Sequence, residues 1–233
     1  MIPISDEQAK LGQELLKTLR GVGSFIEKAL GSTPEDLVAY FGGDRLRVRR
    51  AENLVRHFVE ARRRLDDWGI KEPIPASLSV AFPILQGAAD EDREVLVDLW
   101  ARLLANAMNP NLNNVRHSFI EAVKKMDLPD AAVILCIHQE DVRKIFLGAI
   151  RPPPEKGAYG GQRLGHVNIA EAIGYTADDV EMSIGHLEEL RFLTAFDVPL
   201  TDAPDEDKLQ TVWNVTATLR QFLRACYPEI TPT

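Results

Sequence analysis

The stretch from Val95 to Ala107 constrains this chain more than any other. Val95, Leu96, Leu99, Trp100, Leu103, Leu104 and Ala107 recur at alternating spacings of one and three, the pattern of one face of a helix with about 3.6 residues per turn. So wide an apolar stripe needs several neighbours, and it predicts a helix at the centre of a helical core. Asp90 is expected to cap this helix, with Glu91 and Asp92 favouring its first turn, and Asn109-Pro110-Asn111 to end it.

The rest of the N-terminal two thirds supplies helices to pack around it. Residues 5–30 read as helix, with Ser5 as N-cap and Gly21 and Gly23 as breaks; Ser32-Thr33-Pro34 starts a shorter helix that Gly42-Gly43 ends. Residues 44–68 read as one long helix, with Ala51, Leu54, Val55, Phe58, Ala61, Leu65 and Trp68 as its apolar stripe and Gly69 at its C-terminus. Glu52→Arg56 and Glu60→Arg64 are acid-before-base pairs four apart on its charged face. Residues 76–87 form an apolar segment that Pro83 is expected to kink or break. Two further helices are read over 115–126 and 130–139, with a continuation over 140–149.

The proline- and glycine-rich stretch within 151–165 reads as a linker and sets the domain boundary. Beyond it the rhythm changes. Ile169–Tyr175 is a short helix closed by Gly174, and Thr176 starts a second that carries Val180, Ile184, Leu187 and Leu190. Two short helices about a glycine turn are a helix-turn-helix pattern. Leu193–Val198 and Thr211–Thr216 follow as strand-like segments flanking the acidic loop Asp202–Asp207, and 217–226 closes as a helix. The fold class is therefore mainly α: a helical bundle over 1–150, a linker over 151–165, and a small winged-helix-like domain with a two-stranded β-hairpin over 166–228.

Charge limits the partners. The net charge is −8, but residues 1–72 carry 13 Lys+Arg against 12 Asp+Glu while residues 151–233 carry 7 against 13. An acidic C-terminal third repels a polyphosphate backbone, so a nucleic-acid role must rest on the N-terminal third. The candidate contacts there are Arg45, Arg49, Arg62 and Arg63, within the arginine-rich helix 44–68. The competing reading is a solvated helix face balanced by Asp44, Glu52, Glu60, Asp66 and Asp67, and the absence of interleaved aromatics favours it. In the helix-turn-helix, the second helix presents Asp178, Asp179, Glu181, Glu188 and Glu189, which opposes reading of a DNA groove and suits docking to protein.

Chemistry is hard to find. His57, His117, His138, His166 and His186 stand in no metal-type spacing. His138-Gln139-Glu140-Asp141 places acids beside a histidine and reads as a polar helix end. Gly157–Gly165 lacks the strand and the Gly-Lys-Ser/Thr of a phosphate loop. No catalytic residue, metal or cofactor is assigned, and the chain is taken as non-enzymatic, with an enzyme of dispersed site left open. Cys136 and Cys226 form no redox pair, which fits free thiols in a reducing cytoplasm. Neither a signal peptide nor a membrane span is expected, and the amphipathic stretch 11–30 lacks the basic face of a membrane-lying helix.

Several segments together resemble the Abi-alpha, or abortive infection alpha, family of bacterial proteins. They are Ile74-Pro75, Pro83-Ile84-Leu85-Gln86-Gly87-Ala88, the acidic Asp90–Asp92, Leu99-Trp100-Ala101-Arg102-Leu103-Leu104-Ala105-Asn106-Ala107-Met108, then His117, Phe119 and the segment 124–132. Arg49–Leu54 is similar to the start of that family's helical region, and the resemblance covers roughly 45–225. It implies a part in phage defence, in which an infected bacterium stops growing or dies before phage is released. It supplies no catalytic residues. The expected partner is a protein of phage or host; nucleic acid and a further copy of the chain are the other partners the sequence allows.

Overall fold

A computed structural model describes residues 23–27, 47–112, 114–138, 166–199 and 209–228. The sequence readings at 5–22, 32–43, 140–149, 151–165 and 202–207, and Arg45, lie outside these residues. The chain divides into two compact units, residues 1–125 with 225–233, and residues 126–224.

In the first unit, beside the helical residues 23–27, the described helices are α1 (Arg47–Asp67), α2 (Leu78–Ala89), α3 (Glu94–Ala107) and α4 (His117–Lys125). Helix α3 packs against all three others, and α2 also packs against α1 and α4. This is the central helix the sequence predicts, and it is buried more fully than its stripe implies. Val97, Ala101 and Ala105 are buried along with Leu96, Leu99, Trp100, Leu103 and Leu104, whereas Val95 is half-buried. Asp98 and Arg102 are its polar positions toward the middle. Helix α2 approaches α3 closely because residue 87 is glycine: a Cβ there would lie 2.5 Å from the Trp100 ring.

Two expectations are corrected. Asp90 does not cap α3. It is the C-cap residue of α2, and α3 starts at Glu94 with Arg93 as its N-cap residue. The acids are engaged elsewhere: Asp90 and Asp92 bind Arg50 and Arg49 of α1, and the buried Glu91 accepts hydrogen bonds from the Arg93 backbone N–H at 2.9 Å and its side chain at 2.8 Å. Pro83 does not break its segment either, since α2 runs unbroken through it. Burial of Ala81, Ile84, Leu85, Ala88 and Ala89 on one side of the helix offsets the roughly 3 kcal/mol that an interior proline costs. Helix α1 ends as expected at Gly69 (φ +72°), whose conformation lets Ile70 N–H reach the Leu65 carbonyl.

In the second unit the described elements are α5 (Leu128–His138), α6 (His166–Ile173), α7 (Ala177–Glu189), β1 (Leu193–Pro199), β2 (Leu209–Val215) and α8 (Ala217–Cys226), the last two residues of α8 grouping with the first unit. Helix α7 is the hub, packing against α5, α6 and β1. Thr176 and Asp179 form a reciprocal capping box at its start. Gly174 (φ +74°) makes the turn between α6 and α7. Strands β1 and β2 pair antiparallel, from Leu193 opposite Val215 to Pro199 opposite Leu209. Thr216 then caps α8: its hydroxyl accepts from Leu219 N–H at 3.2 Å and donates to the Arg191 carbonyl at 2.7 Å. Phe192 and Phe222 stack with centroids 5.0 Å apart in this unit's core. Among the described residues no helix is long and apolar enough to cross a membrane.

Candidate functional site

Arg49, Arg50, Arg56, Arg62, Arg63 and Arg64 of α1 are the first candidate surface, and they are committed to carboxylates. Arg49 pairs with Asp92, Arg50 with Asp90 at 2.6 Å, Arg56 with Glu94 at 2.9 Å and Arg64 with Asp98 at 2.6 Å. These four tie α1 to the start of α3 and the turn before it, and the helical pairs Glu52→Arg56 and Glu60→Arg64 read from the sequence do not form. The reason is reach. A guanidinium on the α1 side facing α3 meets a carboxylate there that also holds two helices together. Glu60 is taken instead by Arg63 at 2.7 Å, which raises the Arg63 pKa above its ordinary value. Arg62 binds Asp66 at 3.2 Å and lies over the Phe25 ring, 5.7 Å from its centroid. Of the residues proposed to contact nucleic acid, Arg49, Arg62 and Arg63 are thus each paired within the chain, and Arg45 lies outside the described residues. Exposed pairs of this kind are worth about 0–1 kcal/mol each.

One cluster is different in kind. Asp98 gives one carboxylate oxygen to Arg64 and the other to Arg102 at 2.7 Å. Arg64 and Arg102 are only 17% and 13% exposed. Arg102 further donates to the Cys226 carbonyl at 3.3 Å, and its guanidinium stands 4.1 Å from the centre of the Tyr227 ring, a cation–π geometry. Burial pushes the Cys226 thiol and the Tyr227 phenol far above their usual ranges, so neither ionises at neutral pH. The cluster is structural. Asp98→Asn is expected to destabilise the protein by about 2–3 kcal/mol, because two largely buried guanidinium groups lose a shared carboxylate. Arg49→Ala, at an exposed pair, should change it by no more than about 0.5 kcal/mol. Equal shifts of the urea midpoint in the two variants would contradict this assignment.

Two histidines occupy special positions. His57, on α1, is buried with its Nδ1 2.6 Å from the Asn53 carbonyl, and burial lowers its pKa to about 4. It is a neutral core residue at pH 7. In the second unit, His186 on α7 sets its Nδ1 2.8 Å from the carboxylate of Asp130 on α5. Asp130 is buried and also accepts the Asp127 N–H at 2.8 Å. A histidine oriented by a buried carboxylate is one half of a general-base arrangement, and it is equally a tie between two helices. Among the described residues no group of His, Cys, Asp and Glu could hold a metal ion. His138 is the exposed last residue of α5, and the acids that follow it in sequence lie outside the described residues.

The second candidate surface is the outer side of α7. Asp178, Glu181, Met182, Gly185 and Glu189 are exposed there, opposite the buried Val180, Ser183, Ile184 and Leu187. Met182, at 76%, is the most exposed large apolar side chain among the described residues. Sequence reasoning found the acids of this helix and passed over Met182, whose spacing alone does not say which side it faces. It also missed Asp98 and Arg102, although their acid-before-base spacing of four was visible.

Comparison with curated proteins and with solved structures gives no match. The family model for abortive infection alpha matches residues 49–226, from the first turn of α1 to the last residue of α8 and so across most of both units. The resemblance carried by Trp100, Pro83 and the segments around them therefore extends over about three quarters of the sequence, and the chain belongs to the abortive infection alpha family.

Proposed function

We propose that this protein is a component of abortive infection, an anti-phage defence, and that it acts in the cytoplasm by recognising a protein of phage or host rather than by catalysis. The family match over residues 49–226 carries the defence part of this reading. The protein-recognition part is supported by charge. Arg49, Arg50, Arg56, Arg62, Arg63 and Arg64 of α1 are engaged with carboxylates of the same chain, which leaves little free positive charge on them for a phosphate backbone. The helix that would enter a DNA groove, α7, presents acids and a methionine instead.

In this reading residues 166–228 form a winged-helix-like module used for docking. The order helix, helix, antiparallel strand pair, helix supports it, and winged helices serve protein contacts as well as DNA.

The test is phage plating on bacteria that express the chain, paired with a pull-down from infected cells. The reading expects reduced plating and a specific phage or host protein that is lost when Met182 is changed to Asp. Filter binding against RNA and duplex DNA at low and moderate salt runs beside it, with a variant in which Arg45, Arg49, Arg62 and Arg63 are changed to Ala. Tight, salt-sensitive binding abolished in that variant would replace protein recognition with the nucleic-acid reading.

A further inference from the structure

Helix α7 carries Asp178, Met182, Gly185 and Glu189 at steps of four, three and four, so they line one stripe about 16 Å long. All four are exposed. Three of them work against the isolated helix. Glycine is the poorest helix former after proline, and nothing within the chain requires it at 185. Its φ is not positive, and a Cβ there would meet no atom within 4 Å. Met182, 76% exposed, holds an apolar side chain in water. Glu189 places a carboxylate at the negative end of the helix dipole, and no described residue pairs with it.

Each of these features becomes favourable when a second helix lies along the stripe. The missing Cβ at Gly185 lets another backbone come close and leaves a hollow for a large side chain. Met182 beside the hollow adapts its shape to what enters. Charge then selects the occupant. Acids at both ends of the stripe repel phosphate backbones and anionic lipid. A two-fold contact with a second copy would set acid against acid, whether the helices ran parallel or antiparallel. The complementary partner is cationic at both ends and apolar between them.

We propose that the outer stripe of α7 receives a helix of a partner protein. That helix carries Lys or Arg about three turns apart, facing Asp178 and Glu189, and between them a large apolar residue that seats over Gly185 against Met182. The proposal rests on the protein-recognition reading above and specifies the partner's chemistry.

Fluorescence anisotropy of the full chain with three stapled helical peptides of about fourteen residues, long enough to span the stripe, tests it. One has lysines three turns apart on one face with a leucine between them. The second has glutamates in place of the lysines. The third has the composition of the first with its lysines spread around the helix. The wild type is expected to bind the first peptide about tenfold or more tighter than the third, and not to bind the second. Gly185→Leu should weaken binding of the first peptide by about tenfold or more while raising the urea midpoint, because leucine favours the helix and has room at 185 in the free protein. A loss of binding in a more stable protein cannot come from misfolding. Changing Asp178 and Glu189 together to Lys should transfer the preference to the glutamate peptide. No binding of the first peptide, equal binding of the first and third, or full affinity in Gly185→Leu would each overturn the proposal. If that happens while a captured protein is still lost on Met182→Asp, protein recognition stands and the cationic helix falls. Tight nucleic-acid binding in the filter assay is the separate result that removes the underlying reading.

Discussion

Trp100→Ala is expected to destabilise the protein by about 3–5 kcal/mol, the range for removing a large buried aromatic. Trp100 is fully buried at the centre of α3, the helix that contacts α1, α2 and α4. The site can also be stressed from the other side. Gly87→Ala would place a methyl 2.5 Å from the Trp100 ring, and overpacking of this kind costs about 1–3 kcal/mol. The two effects share one space, so they should not add. In the double variant the methyl added at position 87 enters the void left by the indole, and the combined loss should be smaller than the sum of the single losses. Urea unfolding of the four proteins measures this. A Gly87→Ala protein as stable as the wild type would show that the ring does not limit how closely α2 and α3 approach.

Acid should weaken the same unit through His57. Burial lowers its folded pKa to about 4, against about 6.5 for an unfolded histidine. The unfolded chain therefore binds the extra proton first. His57's contribution is fully present above about pH 6.5 and is lost as pH falls through about 4, an effect of up to about 3 kcal/mol across that window. Glu91 and Glu60 nearby favour the charged ring and Arg56 opposes it, but burial outweighs all three. His57→Gln should flatten the stability profile between pH 6.5 and 4 relative to wild type. Parallel profiles for the two proteins would mean that the ring is hydrated in the folded state.

Periodicity made much of the first unit readable from the sequence, because the spacing of apolar residues is a direct record of which side is buried. Val95–Ala107 and the stripe of residues 51–65 are the clear cases. Gly69 and Gly174 were readable for a related reason: a left-handed residue at a helix end selects glycine. Pairing between side chains was less readable. Asp90 had the composition of a helix cap, and nothing local says that Arg50, forty positions earlier, holds it. Arg56 and Arg64 had good acidic partners one turn away and chose Glu94 and Asp98 instead, since a long flexible side chain is free to bridge helices. His186 and Asp130 are joined only by the fold. For the candidate surfaces, the sequence supplied the residue types on α1 and α7 but could not say which charges were already engaged at home.

Residues 126–224 are inserted, along the chain, between the two stretches that form the first unit. The Arg102 contacts with Cys226 and Tyr227 are therefore made by groups that emerge far apart in time during translation. The nascent N-terminal helices must wait, with Arg102 lacking its last partners, until the whole second unit has been synthesised. A ribosome that stops early leaves a chain without that closure. A product that ends before Cys226 lacks both contacts, and its Arg102 keeps only the pairing with Asp98.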